Sequence, residues 1–523
     1  MAVTASRTQP VAPGDPSPSA RRRVLLPAIL GVIAVVLSSI RSADVSSWTD
    51  EAITVSAATR SWSELWEMLQ NIDAVHGVYY AFMHVWIGLF GASEFAIRFP
   101  SALAVGGAVV GTYVLGRRFG GERLAVVGAV VTMLLPRLLW AGIEGRPFAF
   151  TAVAAVWATV ALARALDTRN SAARWALYAI LAAVGVLLNV YLALLVVGHL
   201  ITVVILHRTD RRVVGSFVGS AIVAAVLSAP VILLSFGQRG QVGSEGDRSA
   251  VGVIRRVLLN QWFLGETPDD GALPGWFDSV WRASGIVLAV VGIALMAWLV
   301  LRSRSARPSP VRELLAYALP WMLVSTLVVA AYTIASSPMY SPRYFTFTVP
   351  AVGLLIAAGL LAVPRRVIRW SIAVIGILAV TAVYASQRAD YSKSGSDWST
   401  VAEVVEAAEP GDAVYFMPRY EPVDGTAKWT ARRIEYVYPE PFQGLDDITL
   451  RETGAETGTL DGESDDLDDV LDRLDDEQVV WVIYGDVYPA DMVADDLALI
   501  ESLGFTASSE WSGPRNVVVR YER

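Results

Sequence analysis

The sequence predicts a mainly α-helical, polytopic membrane protein that carries a small α/β domain at its C-terminal end. Of its 523 residues, 54% are hydrophobic and only 18% are charged, with a mean hydropathy of +0.47. Soluble domains have roughly 45–50% apolar and about 25% charged residues. Apolar runs also recur up to residue 386, and the residues after it are strongly acidic. This composition excludes an ordinary cytosolic enzyme, a disordered protein and a nucleic-acid-binding protein.

The membrane-embedded module is predicted to extend over residues 21–386. Residues 1–20 are rich in Pro, Ser and Ala, which is typical of a disordered tail. The apolar run after Arg21–Arg23 has no clear cleavage site behind it, so we expect an uncleaved first span. About eleven runs are long enough to cross a bilayer, which takes about 20 residues. They lie near 24–40, 101–116, 124–142, 147–166, 173–188, 190–206, 214–236, 279–301, 313–335, 343–363 and 367–386.

The distribution of arginines predicts the orientation of these spans. Cytoplasmic loops carry an excess of Lys and Arg. Six alternate loops contain clustered arginines, so the N-terminus is predicted inside and the chain after the last span outside. The clusters are Arg21–Arg23, Arg117/Arg118/Arg123, Arg164/Arg169/Arg174, Arg208/Arg211/Arg212, Arg302/Arg304/Arg307/Arg312 and Arg365/Arg366/Arg369.

One apolar segment, Val78–Gly91, is too short for a span. At about 14 residues it has the length of an interfacial or re-entrant helix. Counting it as a span would place Arg117/Arg118/Arg123 outside and reverse every later loop. We therefore predict a large first external loop, residues 41–100, with interfacial helices.

Residues 387–523 are predicted to form a soluble extracytoplasmic α/β domain. They contain 31 acidic and 11 basic side chains, a net charge of −20, whereas the preceding residues have a net charge of +12. We expect the domain to contact the external mouth of the membrane module through an apolar or arginine-bearing patch. Predicted strands are 412–417, 433–438, 479–484 and 516–521, predicted helices are 398–408 and 491–503, and a loop with one helix is expected at 445–477.

Several ionisable residues collect on the predicted external side. Asp50 and Glu51 follow the first span in the sequence Trp-Thr-Asp-Glu-Ala. In isolation, such a pair is typical of a helix N-terminus, with Thr49 as the cap and acids in the first turn. Ionisable residues at a membrane boundary, however, tend to mark function, and this pair is accompanied by other ionisable residues on the same predicted side. The other residues are Asp73, His76, Tyr79, Arg98, Glu144, Arg146, Arg343 and Tyr344.

This set of residue types suits a lipid-phosphate substrate. A carboxylate can act as a general base toward a hydroxyl group. Arginines at headgroup depth can bind a phosphate through two parallel hydrogen bonds. The carboxylates are too dispersed to assign a metal site, and no nucleotide-binding or metal-binding motif is present in a convincing context.

Residues 1–386 resemble the GT-C glycosyltransferases, in particular the branch with protein O-mannosyltransferases and the aminoarabinose lipid A transferase. The resemblance lies in an external Asp50-Glu51-Ala52 after the first span, an aromatic interfacial segment and Arg343-Tyr344 at the start of a late span. It also includes the segment Gly91-x-Ser93-Glu94 through Arg98-x-Pro100-Ser101 before the second span. The branch often has a basic residue and prolines where this chain has His76-Gly-Val-Tyr79.

The resemblance implies an inverting transfer of one sugar, mannose in the first instance, from a polyprenyl-phosphate donor at the outer membrane face. The acceptor is a hydroxyl on a glycan, a glycolipid or a protein, and no cofactor is needed. The implied catalytic residues are Asp50, as the base, with Glu51 and Glu144. Arg343, Tyr344, Arg146 and His76 are assigned to the donor phosphate, and Asp73, Tyr79 and Arg98 to substrate binding.

Two other functions are compatible with a polytopic chain of this kind. One is a glycolipid transporter or flippase, which is expected to show repeated halves, interrupted spans or acids near mid-membrane. The other is a family member that binds lipid without catalysis. The sequence has no evident repeat, and its acids lie at the predicted outer boundary, so transfer is the favoured function.

Overall fold

The helical module and the C-terminal sheet are both present in a computed structural model of the protein. It describes residues 18–168, 171–238, 248–266, 273–303, 309–417, 430–485 and 490–523, with side chains from residue 24. The predicted tail lies outside the described residues up to position 17, and the first helix begins at Pro18. The helices of the membrane module are α1 (Pro18–Ser39), α2 (Thr49–Ala58), α3 (Trp62–Asn71), α4 (Gly77–Phe90), α5 (Glu94–Leu134), α6 (Pro136–Ala141), α7 (Phe148–Thr168), α8 (Ala172–Leu188), α9 (Leu192–His207), α10 (Arg211–Gly237), α11 (Ala250–Arg255), α12 (Gly275–Ser303), α13 (Pro310–Ala335), α14 (Val349–Leu361) and α15 (Arg366–Ser386).

Most predicted spans correspond to a helix. Among the described residues, seven helices are long and apolar enough to cross a membrane, and four apolar helices are shorter. Two predicted spans belong to α5, which continues through a break at Gly120 and Gly121. Gly121 has a φ of 70°, a left-handed conformation that glycine adopts without a steric penalty. The predicted arginine-rich loop at 117–123 is therefore this two-glycine break.

The segment predicted as the first external loop, residues 41–100, is almost entirely helical, and we keep that name for it. It contains α2, α3 and α4, and α3 begins with a capping box in which Ser61 and Glu64 each bond the other's backbone N–H. Helix α4 has the 14-residue length predicted for an interfacial helix. Five of its apolar side chains are exposed: Val78, Phe82, Val85, Leu89 and Phe90. The sequence did not predict α11 or the π-helical segment Arg256–Leu264 that follows it.

The C-terminal domain contains helices α16 (Trp398–Val405), α17 (Arg433–Val437), α18 (Gly454–Thr457) and α19 (Ala490–Ser502). Its sheet has five strands in the order β2-β1-β5-β7-β6; β1 pairs in parallel with β2 and β5, and the remaining pairs are antiparallel. The strands of this sheet and of a separate β3–β4 ribbon are β1 (Ala413–Phe416), β2 (Asp446–Asp447), β3 (Leu450–Glu452), β4 (Glu463–Ser464), β5 (Val479–Gly485), β6 (Thr506–Ser512) and β7 (Asn516–Glu522).

Two local predictions for this domain were wrong. Residues 433–438 were predicted as a strand but contain α17, in which Ile434 and Val437, one helical turn apart, are buried in the same core. The segment 445–477 contains short strands and 3-10 turns as well as one short helix. Strand β6 was not predicted, because the edge strand Thr506–Ser512 is mostly exposed and has little apolar alternation.

The C-terminal domain and the first external loop share one apolar core. Val55 of α2 and Leu65 of α3 belong to the same buried cluster as Trp398, Ile434 and Phe442. The apolar contact that we expected between the domain and the membrane module is therefore present. It places the domain directly against the helix that carries Asp50.

Candidate active site

The candidate site is built around the first turn of α2. The helix follows Trp48, whose backbone is extended, and has Asp50 and Glu51 in its first turn. Acidic side chains are favoured there because the N-terminal end of a helix carries a partial positive charge. With 3.6 residues per turn, adjacent side chains point about 100° apart. Asp50 and Glu51 therefore contact different sets of residues.

Asp50 belongs to a partly exposed group that we call the outer cluster: Asp50, Asp73, His76, Arg146 and Arg343. The Asp50 Oδ2 atom lies 2.9 Å from Nη1 of Arg343 and 3.9 Å from Nε of Arg146. The side chains of Asp50 and Arg343 are 12% and 23% exposed. Burial raises the pKa of Asp50, but the charges of Arg343 and then Arg146 oppose this effect and outweigh it. The pKa of Asp50 therefore lies below its usual value. Asp50 is thus an ionised carboxylate between two guanidinium groups.

Asp73 connects the outer cluster to the start of α4. It has a φ of 58°, and its carboxylate lies 2.7 Å from Nδ1 of His76 and accepts a hydrogen bond from the Tyr80 hydroxyl. Burial raises the pKa of Asp73, but His76 and then Arg146 lower it to about 2. The other ring nitrogen of His76, Nε2, lies 3.4 Å from Nη2 of Arg146.

Arg146 lies in the connection between α6 and α7, residues 142–147, which we call the second external loop after its predicted side, and it contacts the first external loop. Its Nη1 donates to the Tyr80 hydroxyl at 2.9 Å and lies 3.4 Å from the backbone oxygen of Asp50. Arg146 is 6% exposed. A guanidinium held in this way is oriented before any substrate arrives, which is the arrangement expected of a phosphate-binding group.

Glu51 lies in a second group, the inner cluster, which consists of Trp48, Glu51, Arg98, Glu144 and Lys393. Glu51 and Arg98 form a fully buried bidentate pair, with Nε to Oε1 at 2.8 Å and Nη2 to Oε2 at 2.6 Å. Nζ of Lys393 lies 2.6 Å from Oε1 of Glu51 and 3.1 Å from Oε1 of Glu144. The indole N–H of Trp48 donates to Oε2 of Glu144 at 3.1 Å.

The two carboxylates of the inner cluster titrate differently. Burial raises the pKa of Glu144 to about 7, with Lys393 opposing the rise and Glu51 adding to it. Burial also raises the pKa of Glu51, but Arg98 and Lys393 outweigh it and lower the value to about 2. Glu51 is therefore ionised at neutral pH, whereas Glu144 changes its charge near neutrality.

The outer and inner clusters are in contact through Trp48. The guanidinium carbon of Arg343 lies 5.3 Å from the centre of the Trp48 ring, within the range of a cation–π interaction. Arg343 also lies 5.8 Å from the ring of Tyr344, which itself packs on Tyr191. The position of the Trp48 ring beside Arg343 therefore depends on the part-buried hydrogen bond from Trp48 to Glu144.

The structure brings together most of the residues that the sequence predicted, but in two separate groups. Asp50, Asp73, His76, Arg146 and Arg343 share the outer cluster, with Tyr344 beside it. Glu51, Arg98 and Glu144 lie in the inner cluster. Tyr79 is 1% exposed and packs edge-on against Phe150 at 5.7 Å, so it belongs to the core behind the two clusters.

Sequence reasoning missed Trp48, Tyr80 and Lys393 as members of the site. One signal could have identified Lys393: it is one of two lysines in the chain, and it follows the last span closely. Trp48 directly precedes the Thr-Asp-Glu sequence, and Tyr80 lies one helical turn after His76. None of these signals indicates a contact partner.

A separate cavity of about 1420 Å³ lies between the first external loop and the C-terminal domain. Its lining includes Val55 and Ser56 of α2, Arg60 just after that helix, and Tyr436 and Glu440 of the C-terminal domain. Neither Asp50 nor Arg343 is one of the described residues that line this cavity. The cavity is on the other side of α2 from the outer cluster.

Comparisons with known proteins agree with this architecture. Residues 77–233 match a family model described as dolichyl-phosphate-mannose-protein mannosyltransferase. A search of curated proteins finds no match. Two crystal structures of ArnT from Cupriavidus metallidurans cover 96% of this chain and 98% of their own. The apo structure has 14% identity and a TM-score of 0.54, and the structure bound to undecaprenyl phosphate has 13% identity and a TM-score of 0.53.

A third structure, the apo oligosaccharyltransferase of Archaeoglobus fulgidus, covers 88% of this chain and 70% of its own, with 14% identity and a TM-score of 0.47. Because the two ArnT structures share only 13% and 14% of their residues with this chain, their similarity to it shows a common fold and nothing more specific. The match to the family model begins at α4 and includes the second external loop, with Glu144 and Arg146. The resemblance seen in the sequence is therefore confirmed: this chain is a multi-pass membrane protein with the GT-C fold.

Proposed function

We propose that this protein is an inverting membrane glycosyltransferase that transfers one sugar from a polyprenyl-phosphate donor to a hydroxyl group. The observation that carries the proposal is the ionised Asp50 carboxylate, partly exposed and paired with Arg343 at 2.9 Å and Arg146 at 3.9 Å. A base and two phosphate-binding cations thus lie within one small group. The structural match to ArnT bound to undecaprenyl phosphate supports a polyprenyl-phosphate donor.

Asp50 is the proposed general base. It accepts the proton of the acceptor hydroxyl as that oxygen attacks the anomeric carbon from the face opposite the phosphate. The bond between the anomeric carbon and the phosphate oxygen breaks at the same time, and its electron pair leaves with the polyprenyl phosphate. A single displacement of this kind inverts the configuration at the anomeric carbon.

Arg343 and Arg146, with His76 and Tyr344 beside them, are the proposed binding groups for the donor phosphate. Guanidinium groups form charge-assisted, bidentate hydrogen bonds with phosphate oxygens. Stabilising the charge that develops on the leaving group is usually the largest contribution to such a reaction. A phosphate bound to Arg343 also takes up part of the positive charge that lowers the pKa of Asp50, so donor binding makes Asp50 a stronger base.

Glu51, Glu144 and Arg98 receive a different role from the one that the sequence predicted for them. All three are fully buried, so we assign them to holding the external loops together, and we assign Asp73 to orienting His76 through its 2.7 Å contact with Nδ1. The proposed reaction uses neither a metal nor a cofactor. Mannose is the proposed sugar because the matching family model is described as a mannosyltransferase family.

The test is a transfer assay with the purified full-length protein in lipid nanodiscs and a radiolabelled undecaprenyl-phosphate mannose donor. The expected result is release of undecaprenyl phosphate that depends on an added hydroxyl acceptor. A folded protein that releases none from mannosyl or other polyprenyl-phosphate donors contradicts the proposal. In proteoliposomes, movement of intact donor across the bilayer without release of the sugar supports a transporter instead.

A further inference from the structure

The segment that joins the last span to the C-terminal domain runs through the middle of the site. We call residues 386–397 the strap. Asp390 and Ser394 of the strap are exposed, but seven of its other polar residues are buried: Ser386, Gln387, Arg388, Ser392, Lys393, Ser396 and Asp397. A linker between two domains is normally exposed, because a buried loop must satisfy its own polar groups. This one is held on both sides by specific hydrogen bonds.

At its membrane end, the strap is fixed to the ends of other external segments. Nε of Arg388 donates to the backbone oxygen of Ile40 at 3.0 Å, and its Nη2 donates to the backbone oxygen of Leu139 at 3.2 Å. At its far end, Asp397 accepts hydrogen bonds from the backbone N–H groups of Arg515 and Asn516 at 2.9 and 3.1 Å. The strap therefore connects the membrane module to the start of β7 in the C-terminal sheet.

Lys393 lies between these two anchors and is the residue of the strap that enters the inner cluster. Its side chain is 1% exposed. Its ammonium group lies 2.6 Å from Glu51, 2.7 Å from the backbone oxygen of Ile143 and 3.1 Å from Glu144. One residue from the C-terminal side of the chain therefore joins α2 to the second external loop.

These partners are the immediate chain neighbours of the proposed reactive groups. Glu51 is adjacent to Asp50, and its Oε1 also accepts the backbone N–H of Gly145, the residue before Arg146, at 2.9 Å. Glu144 in turn holds the indole of Trp48, against which Arg343 packs. A shift of Lys393 therefore changes the spacing of the carboxylate and the two guanidinium groups in the outer cluster.

We propose that Lys393 is a positioning residue for glycosyl transfer, and that the C-terminal domain acts on the site by holding this lysine through the strap. The proposal rests on the proposed function for its activity readout. Its structural part, that Lys393 locks α2 to the second external loop, can be measured on the protein without substrate. The two can therefore fail separately.

The experiment compares Lys393→Met with Arg432→Met in the full-length protein in nanodiscs. Both variants remove a buried cation from an ion pair, but Arg432 pairs with Asp447 inside the C-terminal domain and contacts neither the strap nor the acids of the inner cluster. We expect Lys393→Met to lower kcat about 10²-fold with the KM for donor changed less than about threefold, since misplaced catalytic groups commonly cost this much. Arg432→Met is expected to keep kcat within about threefold of the unmodified protein.

Hydrogen–deuterium exchange supplies the readout that needs no activity. In Lys393→Met, exchange is expected to increase at 49–54 and 143–147, whereas Arg432→Met leaves both segments protected. Unchanged exchange at these segments in Lys393→Met overturns the proposal, as does an equal loss of kcat in both variants. If the unmodified protein transfers no sugar, the proposed function fails, and the exchange measurement still decides whether Lys393 locks the loops.

A second pair of variants covers the case in which Lys393→Met does not fold. Removing one member of a buried ion pair leaves an uncompensated charge, which is strongly destabilising. Lys393→Met with Glu144→Gln removes one charge of each sign and is compared with Glu144→Gln alone. We expect the double variant to fold and to have a kcat at least about tenfold below that of the single variant; equal kcat values overturn the proposal.

Discussion

The outer and inner clusters contain the same kinds of side chains but differ in what surrounds them. In the outer cluster, Asp50 pairs with Arg343 at a partly exposed position. In the inner cluster, Glu51 pairs with Arg98 where both side chains are fully buried. Asp50 and Glu51 are neighbours in the chain, so burial and partners separate their roles. A carboxylate that must take a proton from a substrate needs an accessible side, and Glu51 has none.

The largest expected effect is that of Asp50→Asn, which tests the outer cluster. The amide cannot accept the hydroxyl proton, so we expect kcat to fall about 10²- to 10⁴-fold, the range for loss of a general base. The KM for donor should change little, because the arginines remain. The measurement is steady-state transfer from a labelled donor.

The control for this variant is Asp44→Asn, which removes an exposed acid paired with Arg41 on the same loop. It should leave kcat unchanged within about twofold, because exposed ion pairs contribute little. If Asp50→Asn transfers sugar at the normal rate, Asp50 is not the base, and the proposed distinction between the clusters is wrong.

Arg343→Gln is expected to have the next largest effect. Its effect on the KM for donor distinguishes a role in phosphate binding from a role in stability alone. We expect kcat to fall about 10²-fold, as when one charge-stabilising donor is removed from a transition state, and the KM for donor to rise. Arg41→Gln, at a 49% exposed arginine, is the matched control. An unchanged KM for donor together with an unchanged kcat removes Arg343 from the phosphate site.

Glu51→Gln is expected to affect folding rather than chemistry. Breaking a buried pair with a retained cation typically costs about 3–5 kcal/mol, so the thermal unfolding midpoint in detergent should fall by several degrees. Asp50→Asn should change the midpoint much less, because Asp50 is partly exposed. The measurement is thermal unfolding of both variants, and a larger loss of stability in Asp50→Asn reverses the comparison.

The smallest expected effect is a pH dependence of stability that depends on Glu144. Its pKa is about 7 in the folded protein, compared with a usual value of 4.5. The folded state therefore binds more protons between these values, and stability is expected to decrease as the pH rises from about 4.5 to about 7. Glu144→Gln should lack this decrease.

Other carboxylates also make the stability depend on pH, and the comparison with Glu144→Gln separates their contributions from that of Glu144. Asp73, with its pKa lowered to about 2, contributes stability above its usual pKa that is lost as the pH falls toward 2, in a different window. Glu435, whose pKa is raised to about 7 by burial and by Asp447, remains in both proteins. If the unfolding midpoints of the unmodified protein and of Glu144→Gln change in the same way between pH 4.5 and 7, this result would falsify the assignment to Glu144.

The sequence alone predicted the membrane module, because spans depend on composition over about 20 residues rather than on any single contact. It also identified every charged member of the outer cluster, because charges beside apolar runs are conspicuous. It did not separate Asp50 from Glu51: which side of a short helix faces the core is decided by packing. The contact of Lys393 with Glu51 spans 342 residues, and no local pattern indicates such a pairing.

In the C-terminal domain, too, the sequence predicts local structure less well where that structure depends on contacts with distant residues. The apolar run Val479–Gly485 is a central strand, as predicted, and its core positions are almost completely buried. The run at 433–438 also carries apolar and aromatic side chains, beside Arg433 and Glu435, but it contains α17, since short segments of this kind fit either structure until their neighbours are known. In this case the neighbour is α2, whose buried face belongs to the same core.

The long separation between Lys393 and its partners has a consequence for the order of events during synthesis. Chains grow at about 5–20 residues per second, so Glu51 and Glu144 emerge on the order of tens of seconds before their lysine. Arg98 reaches Glu51 early, whereas Glu144 must wait, protonated or in water, until the last helix has been inserted. A chain that stops at residue 386 leaves Glu144 without its lysine, so the ion pairs that join α2 to the second external loop can form only after residue 393 has been synthesised.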